Sequence, residues 1–293
     1  MKRWMVIIIL FSFVLILSAE AIEQSLLLKL LELKRESYIS KRGELYADLI
    51  PSYTQDQSVV PWSVIKNSSA NLNLNMRLGM SNRLQASLQI PYSSLSRTID
   101  INPRQYYRGS GLGDPSLSFQ YELLSEKINR PNVYLIWGNT FPLGKSIYNN
   151  LAVDELPTGS GYFSTSLGFS FLKSIDPCVV YWGGDYQWIF RRGDYDPGDV
   201  ISYNGGIGIS LNQNINLSLG LVGSVAREDT QMVNGVEQTV SSSSNRAGLV
   251  IGSTIIFNPD FYITPTIIIG ATQEENDFLF SFGITRKLRG VVQ

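Results

Sequence analysis

The stretch Ala70-Asn71-Leu72-Asn73-Leu74-Asn75-Met76-Arg77-Leu78-Gly79-Met80 alternates apolar and polar side chains without a break. Ala70, Leu72, Leu74, Met76, Leu78 and Met80 fall on one side; Asn71, Asn73, Asn75, Arg77 and Gly79 fall on the other. Successive side chains of a β-strand point to opposite faces, so this segment has one greasy face and one wet face. A short turn at Ser81-Asn82 follows, and then Leu84, Ala86, Leu88, Ile90 and Tyr92 alternate with Arg83, Gln85, Ser87 and Gln89. The two halves predict a hairpin in matched register.

The period of two recurs over 116–123, 163–171, 180–190, 202–211, 215–221, 247–255, 263–270 and 278–285, with weaker candidates at 44–53 and 132–141. That makes about twelve strands, most near the 9–11 residues of a tilted membrane strand. The connections alternate in length. Short ones lie at 81–82, 174–177, 212–214 and 258–260; long ones cover 54–69, 93–113, 142–160 and 227–245. Short turns at one end and long loops at the other are the arrangement of outer-membrane barrels, and an even strand count returns both termini to the periplasm.

A soluble β-sandwich also alternates, but its wet face usually carries many lysines and glutamates. Here the polar faces are mostly Ser, Asn, Gln, Gly and Thr, and charged residues are only 17% of the chain, against roughly 25% in soluble domains. Small neutral polar side chains suit a confined, hydrated lumen. Tyr53, Tyr92, Tyr121, Phe141, Tyr162, Phe190, Tyr203 and Phe278 sit near strand ends, where interfacial aromatic girdles belong. Closure follows, because an open strand edge in hydrocarbon would leave backbone N–H and C=O groups unsatisfied. The expected fold class is all-β: a transmembrane antiparallel up-and-down barrel of about twelve strands, embedded in outer-membrane lipid. Such a chain needs the barrel-assembly machinery as a folding partner.

Ahead of the barrel, Lys2 and Arg3 precede an apolar run from Trp4 to Leu17, and Ser18-Ala19-Glu20-Ala21 ends in the small-x-small pattern of a signal-peptidase site. Residues 1–21 are therefore expected to be a cleaved signal peptide of a Gram-negative bacterium. Residues 22–40 read as a short helix after it, because Leu27, Leu30 and Leu31 share one face among polar neighbours. The domain reading is 1–21 signal, 22–42 helical arm and 43–293 barrel. The helix suits a periplasmic arm, a lumen plug or an oligomerisation element.

The single cysteine, Cys178, permits no intrachain disulfide and no cysteine metal cluster. A net charge of −1 gives no reason to expect nucleic acid. The chain has no histidine, so the usual general base of a serine-hydrolase barrel is missing. Asp194, Asp196 and Asp199 share a loop but lack the calcium-loop spacing. Gly109-Ser-Gly-Leu-Gly113 precedes a strand, not the helix a phosphate cradle needs, and Arg192-Gly193-Asp194 is a tripeptide common by chance. No enzyme activity, cofactor or metal is expected.

Three further segments carry a resemblance: Gly111-Leu-Gly-Asp-Pro-Ser-Leu-Ser-Phe-Gln-Tyr121, Thr140-Phe-Pro-Leu-Gly144 and Gly159-Ser-Gly-Tyr162. They follow, in order, the hairpin Arg77-Leu-Gly-Met-Ser-Asn-Arg-Leu-Gln-Ala-Ser-Leu-Gln-Ile-Pro-Tyr92. In that order the chain resembles the outer-membrane channel proteins of the MetA-pathway of phenol degradation family, over roughly residues 43–285. The resemblance implies a barrel that passes small molecules, often apolar or aromatic, across the outer membrane, without naming the solute. The expected function is passive transport, and the alternative is a non-conducting structural or surface-interaction barrel with a filled lumen. Arg77, Arg83, Glu122, Asp185 and Gln187 are the candidates for the lumen lining, and Arg104, Arg108 and Lys145 for a cationic rim at the loop mouth.

Overall fold

The structure is a computed structural model that describes residues 39–60, 63–100, 104–146, 148, 152, 154–233, 236–272 and 278–288. The expected signal peptide and nearly all of the 22–40 helix lie outside the described residues. Residues 70–79 form the C-terminal part of β2 (Ser63–Gly79), which lies between β1 (Leu45–Val60) and β3 (Leu84–Asp100). The hairpin register is as the alternation requires, with Leu78 opposite Ala86, Met76 opposite Leu88 and Leu74 opposite Ile90.

The chain continues through β4 (Gln105–Leu112), β5 (Ser116–Leu124), β6 (Asn132–Thr140), β7 (Ser164–Ile175) and β8 (Cys178–Ile189). After the two-residue β9 (Tyr195–Asp196) come β10 (Val200–Ser210) and β11 (Ile215–Ala226). The small hairpin β12 (Asp229–Val233) and β13 (Val236–Ser241) precedes β14 (Ser244–Asn258), β15 (Phe261–Gly270) and β16 (Phe278–Leu288). Every pairing between these strands is antiparallel; β4, β9 and the β12–β13 hairpin stand outside the main order, so β3 pairs with β5, β8 with β10 and β11 with β14, and β1 pairs with β16. The β2–β3 pairing joins the remaining two edges, so the sheet closes on itself as a barrel of twelve strands. In β4 the chain instead doubles back on the outer half of β3, while β9, β12 and β13 form a separate three-stranded sheet at the loop end.

Alternation now has a spatial meaning. Leu72 and Leu74 of β2, and Leu217, Leu219 and Leu221 of β11, are exposed on the outer surface. Asn73, Asn75 and Arg77 of β2, and Asn216 and Ser218 of β11, are buried inside. An apolar belt facing out and polar groups facing in are what the bilayer selects. Phe171 stacks on Trp182 at 4.0 Å and Phe119 on Trp137 at 5.7 Å on that outer face. Tyr53, Tyr92, Tyr121, Phe141, Phe190 and Phe278 are exposed, as a girdle requires. Tyr203 departs from the expectation: it is buried, its ring lying where a Cβ on Gly223 would sit.

Segments 54–69 and 93–113, read as loops from sequence, are largely strand. β1, β2 and β3 run 16 or 17 residues, and their outer ends pair with one another and with β4. The outward positions of β1 change from Leu49 and Tyr53 to Gln55 and Gln57, and the lipid belt ends at that level. Beyond that level both faces meet water, so the ladder persists while the apolar half of the alternation disappears.

Candidate functional site

The site is the lumen, and its two halves are built differently. In the half nearer the short turns, Arg77 reaches across from β2 to Asp48 on β1. Its Nε donates to Asp48 Oδ2 and its Nη2 to Asp48 Oδ1, each at 2.9 Å. Nη2 also donates to the Tyr262 hydroxyl at 3.1 Å, and Asn75 Nδ2 donates to Asp48 Oδ2 at 2.9 Å. The guanidinium lies 5.1 Å from the Tyr46 ring centre. Both charges are sealed from solvent, at 2% and 0% exposure. A bidentate, fully hydrogen-bonded pair is the geometry in which such burial is tolerated. Lys287 pairs with Glu44 beside it and lies 5.7 Å from the same Tyr46 ring.

The chain just before β1 also enters this half. Ser40 donates through its N–H and its Oγ to Gln85 Oε1, at 3.0 and 2.8 Å. Ile39 is buried against lumen-facing Tyr134, Ile136, Leu172, Val179 and Tyr181. Gly79 permits the crossing, because a Cβ there would lie 2.0 Å from the Lys41 carbonyl oxygen and 2.3 Å from that of Ser40. On the same wall the Tyr181 hydroxyl occupies the space that Cβ atoms on Gly206 and Gly220 would take, each at 2.5 Å. Those two glycines let a tyrosine lie flat across β10 and β11.

The half nearer the long loops is lined by small polar side chains. It holds a cavity of about 210 Å³ whose wall includes Ser52, Asn71, Gln89, Ser93, Ser116 and Thr140. At its edge Asp114 collects the loops. Oδ1 accepts from the Gly144 N–H at 2.9 Å, and Oδ2 accepts from the Ser160 N–H at 2.6 Å and the Ser160 Oγ at 2.8 Å. A Cβ on Gly144 would lie 2.8 Å from Gly159 Cα, and one on Gly159 would lie 2.5 Å from Asp114 Oδ1. The three glycine motifs singled out in the sequence thus meet at one carboxylate, each glycine allowing backbone to approach backbone.

The predicted residues are distributed as follows. Arg77 points inward but is consumed by Asp48. Arg83 is exposed in the turn ahead of β3. Glu122 lies opposite Tyr134, and Asp185 opposite Ser202, both on the lumen-facing register. Gln187 Nε2 donates to Ser164 Oγ at 2.7 Å. At the mouth Arg104 pairs with Asp100 at 2.9 Å and Lys145 with Glu155 at 2.6 Å. Arg108 is exposed, its backbone bonded to Asp154 and Leu156. Two of the three mouth cations are therefore matched by a carboxylate. Sequence reasoning missed Asp48, Gln85, Asp114 and Tyr181. Only Asp114 carried a signal, its place in the Gly-Leu-Gly-Asp motif.

The model of the MetA-pathway of phenol degradation family matches residues 67–288. The chain belongs to this family. The match covers all the barrel strands from β3 onward and most of β2. An outer-membrane channel from Pseudomonas putida F1 superposes with a TM-score of 0.65 at 14% identity, over 87% of this chain and 98% of that one. The translocator domain of the autotransporter NalP from Neisseria meningitidis gives 0.52 at 11% identity, over 91% and 95%. At such identities the likeness is one of fold: an outer-membrane β-barrel of the porin-like kind. In outer-membrane barrels the short turns face the periplasm and the long loops face outward.

A second network fixes the loops of this family member above the mouth. The Arg192 guanidinium lies 4.4 Å from the Tyr148 ring centre, Tyr148 bonds Tyr162 through their hydroxyls, and Tyr162 stacks on Tyr195 at 5.8 Å. The Tyr195 hydroxyl donates to Asp229 Oδ2 at 2.6 Å, and the Gly198 N–H donates to Oδ1 at 2.9 Å. Burial and the Asp229 contact push the Tyr195 phenol up to about 12. Burial alone would raise Asp229, but the Gly198 and Tyr195 bonds hold it below the usual carboxylate range.

Proposed function

We propose that this chain is a passive channel for small molecules, moving them down a gradient through the barrel. The observation that carries the reading is a closed wall, apolar outside, around a polar interior that retains a cavity in its outward half. Selectivity is set by lumen width and lining groups, with Glu122, Asp185 and Gln187 contributing polarity along the path and Arg104, Arg108 and Lys145 shaping the mouth. Val222, Val250 and Ile268 form an apolar patch on the lumen side of β11, β14 and β15, which suits apolar or aromatic solutes among those carried. Residues 1–21 direct export and are removed, and the mature chain is inserted by the barrel-assembly machinery.

A specific observation favours a second reading, a barrel closed by its own chain. Ile39 and Ser40 already occupy the periplasmic half of the lumen, next to the Arg77–Asp48 cluster. The test is reconstitution of the mature protein and of a form lacking residues 22–40 into planar bilayers and liposomes. A channel gives discrete conductance steps and solute-driven swelling, larger in the shortened form. If neither form passes ions or solutes while both remain folded and heat-modifiable, the lumen is filled and the channel reading fails.

A further inference from the structure

The cavity in the outward half of the lumen has a wall of one chemical kind. Five hydroxyls (Ser52, Thr54, Ser93, Ser116 and Thr140) and three amides (Asn71, Asn73 and Gln89) line it, with Pro91 and Leu279 as apolar patches. Two of the amide nitrogens are engaged within the wall: Asn71 Nδ2 donates to Ser69 Oγ at 3.0 Å, and Gln89 Nε2 reaches Asn73 Oδ1 at 3.5 Å. The Thr54 hydroxyl is bonded to Ser69 Oγ, whereas the amide oxygens of Asn71 and Gln89 and the hydroxyls of Ser52, Ser93, Ser116 and Thr140 make no hydrogen bond among the described residues. The wall therefore presents hydroxyls that donate or accept and amide oxygens that accept, with no cation among them. Its only carboxylate, Asp114, has both oxygens occupied by Gly144 and Ser160.

We propose that this cavity is a binding subsite for an uncharged, hydroxyl-rich small molecule of monosaccharide size. The assignment rests on the channel reading for its biological use, not for its chemistry. A solute with several hydroxyls exchanges its water for these groups one for one, whereas an ion would give up hydration for neutral dipoles and no counter-charge. Pro91 and Leu279 offer apolar surface to the C–H face such a molecule also carries. At about 210 Å³ the cavity is smaller than the roughly 300–1,000 Å³ of pockets for drug-sized ligands, which sets the size class. A site built to hydrogen-bond hydroxyls also discriminates against molecules that lack them.

The experiment uses the mature chain in detergent and in bilayers, with glucose and glucuronate, two rings of one size that differ by a carboxylate. Saturation-transfer NMR in detergent is expected to show saturable glucose binding, with glucuronate at least about tenfold weaker. Gln89→Leu and Thr140→Val remove one hydrogen-bonding group each at nearly constant volume, and each is expected to weaken glucose about five- to tenfold. In bilayers glucose should reduce the ionic current in the same saturable way. Saturable binding to a folded protein that carries no current would support the subsite while removing the channel reading. Current without saturable glucose binding, glucuronate bound as tightly as glucose, or wild-type affinity in both folded variants would each overturn the proposal.

Discussion

Arg77 and Asp48 show what the lumen does to charge. Each is buried, and each is satisfied by the other together with Asn75, Tyr262 and the Tyr46 ring. Removing one partner leaves an uncompensated charge in that setting, so Arg77→Met or Asp48→Leu should cost about 3–5 kcal/mol, whereas the double substitution should recover most of the loss. Urea unfolding in lipid vesicles, followed by tryptophan fluorescence, measures all three; additive single effects would show that the pair does not act as a unit. Arg77 was legible as an inward residue because its neighbours alternate cleanly. Asp48 was not. In β1 the inward positions Tyr46, Asp48, Ile50, Ser52 and Thr54 mix apolar and polar groups, since the periplasmic half of the lumen is packed like a core. A strand greasy on both faces has a weak period of two, and Asp48 gives no sign of its partner on the next strand.

At the scale of elements, the strands within the lipid belt were readable and the parts above it were not. Lipid demands apolar side chains at every second position, and that demand ends where the outward positions of β1 turn from Tyr53 to Gln55 and Gln57. Loop order above the belt depends instead on single contacts such as Asp114 with Ser160 and Asp229 with Tyr195, which leave no periodic trace. Inside the belt, Tyr181 over Gly206 and Gly220 ties three strands together. Gly220→Ala places a methyl 2.5 Å from the Tyr181 hydroxyl, and overpacking of this kind should cost about 1–3 kcal/mol. Restoring stability in Gly220→Ala by Tyr181→Phe would identify the hydroxyl as the clash, and no recovery would assign the cost to the backbone. Above the belt, Asp229 makes loop order depend on pH. Its folded pKa lies below the usual carboxylate range, so its stabilising contribution is complete above the unfolded value of roughly 4 and is lost as pH falls through the folded one. A spin label at Gln238 should therefore report constant mobility from about pH 7 to pH 5 and rising mobility below about pH 4. Asp229→Asn should be mobile throughout that range; a pH response unchanged in the variant would locate the titrating group elsewhere.

For the whole molecule, the question is how firmly the chain ahead of the barrel is held inside it. The barrel itself is rigid, since every strand in the belt is paired on both sides, so a change in conductance must come from what lies within the lumen. Gln85 is the polar anchor of Ser40, through two hydrogen bonds to one amide oxygen. Gln85→Leu keeps the volume and removes both bonds, a loss of about 1–3 kcal/mol, which raises the released population by roughly five- to a hundredfold. Ile39 stays free to pack against Tyr134 and Leu172, so release in this variant should be intermittent. Single-channel records should accordingly show short openings to the conductance of the form lacking residues 22–40, at a frequency well above that of the wild type. Wild-type records from a folded Gln85→Leu protein would mean that the segment does not leave the lumen by this route and that solutes pass beside it.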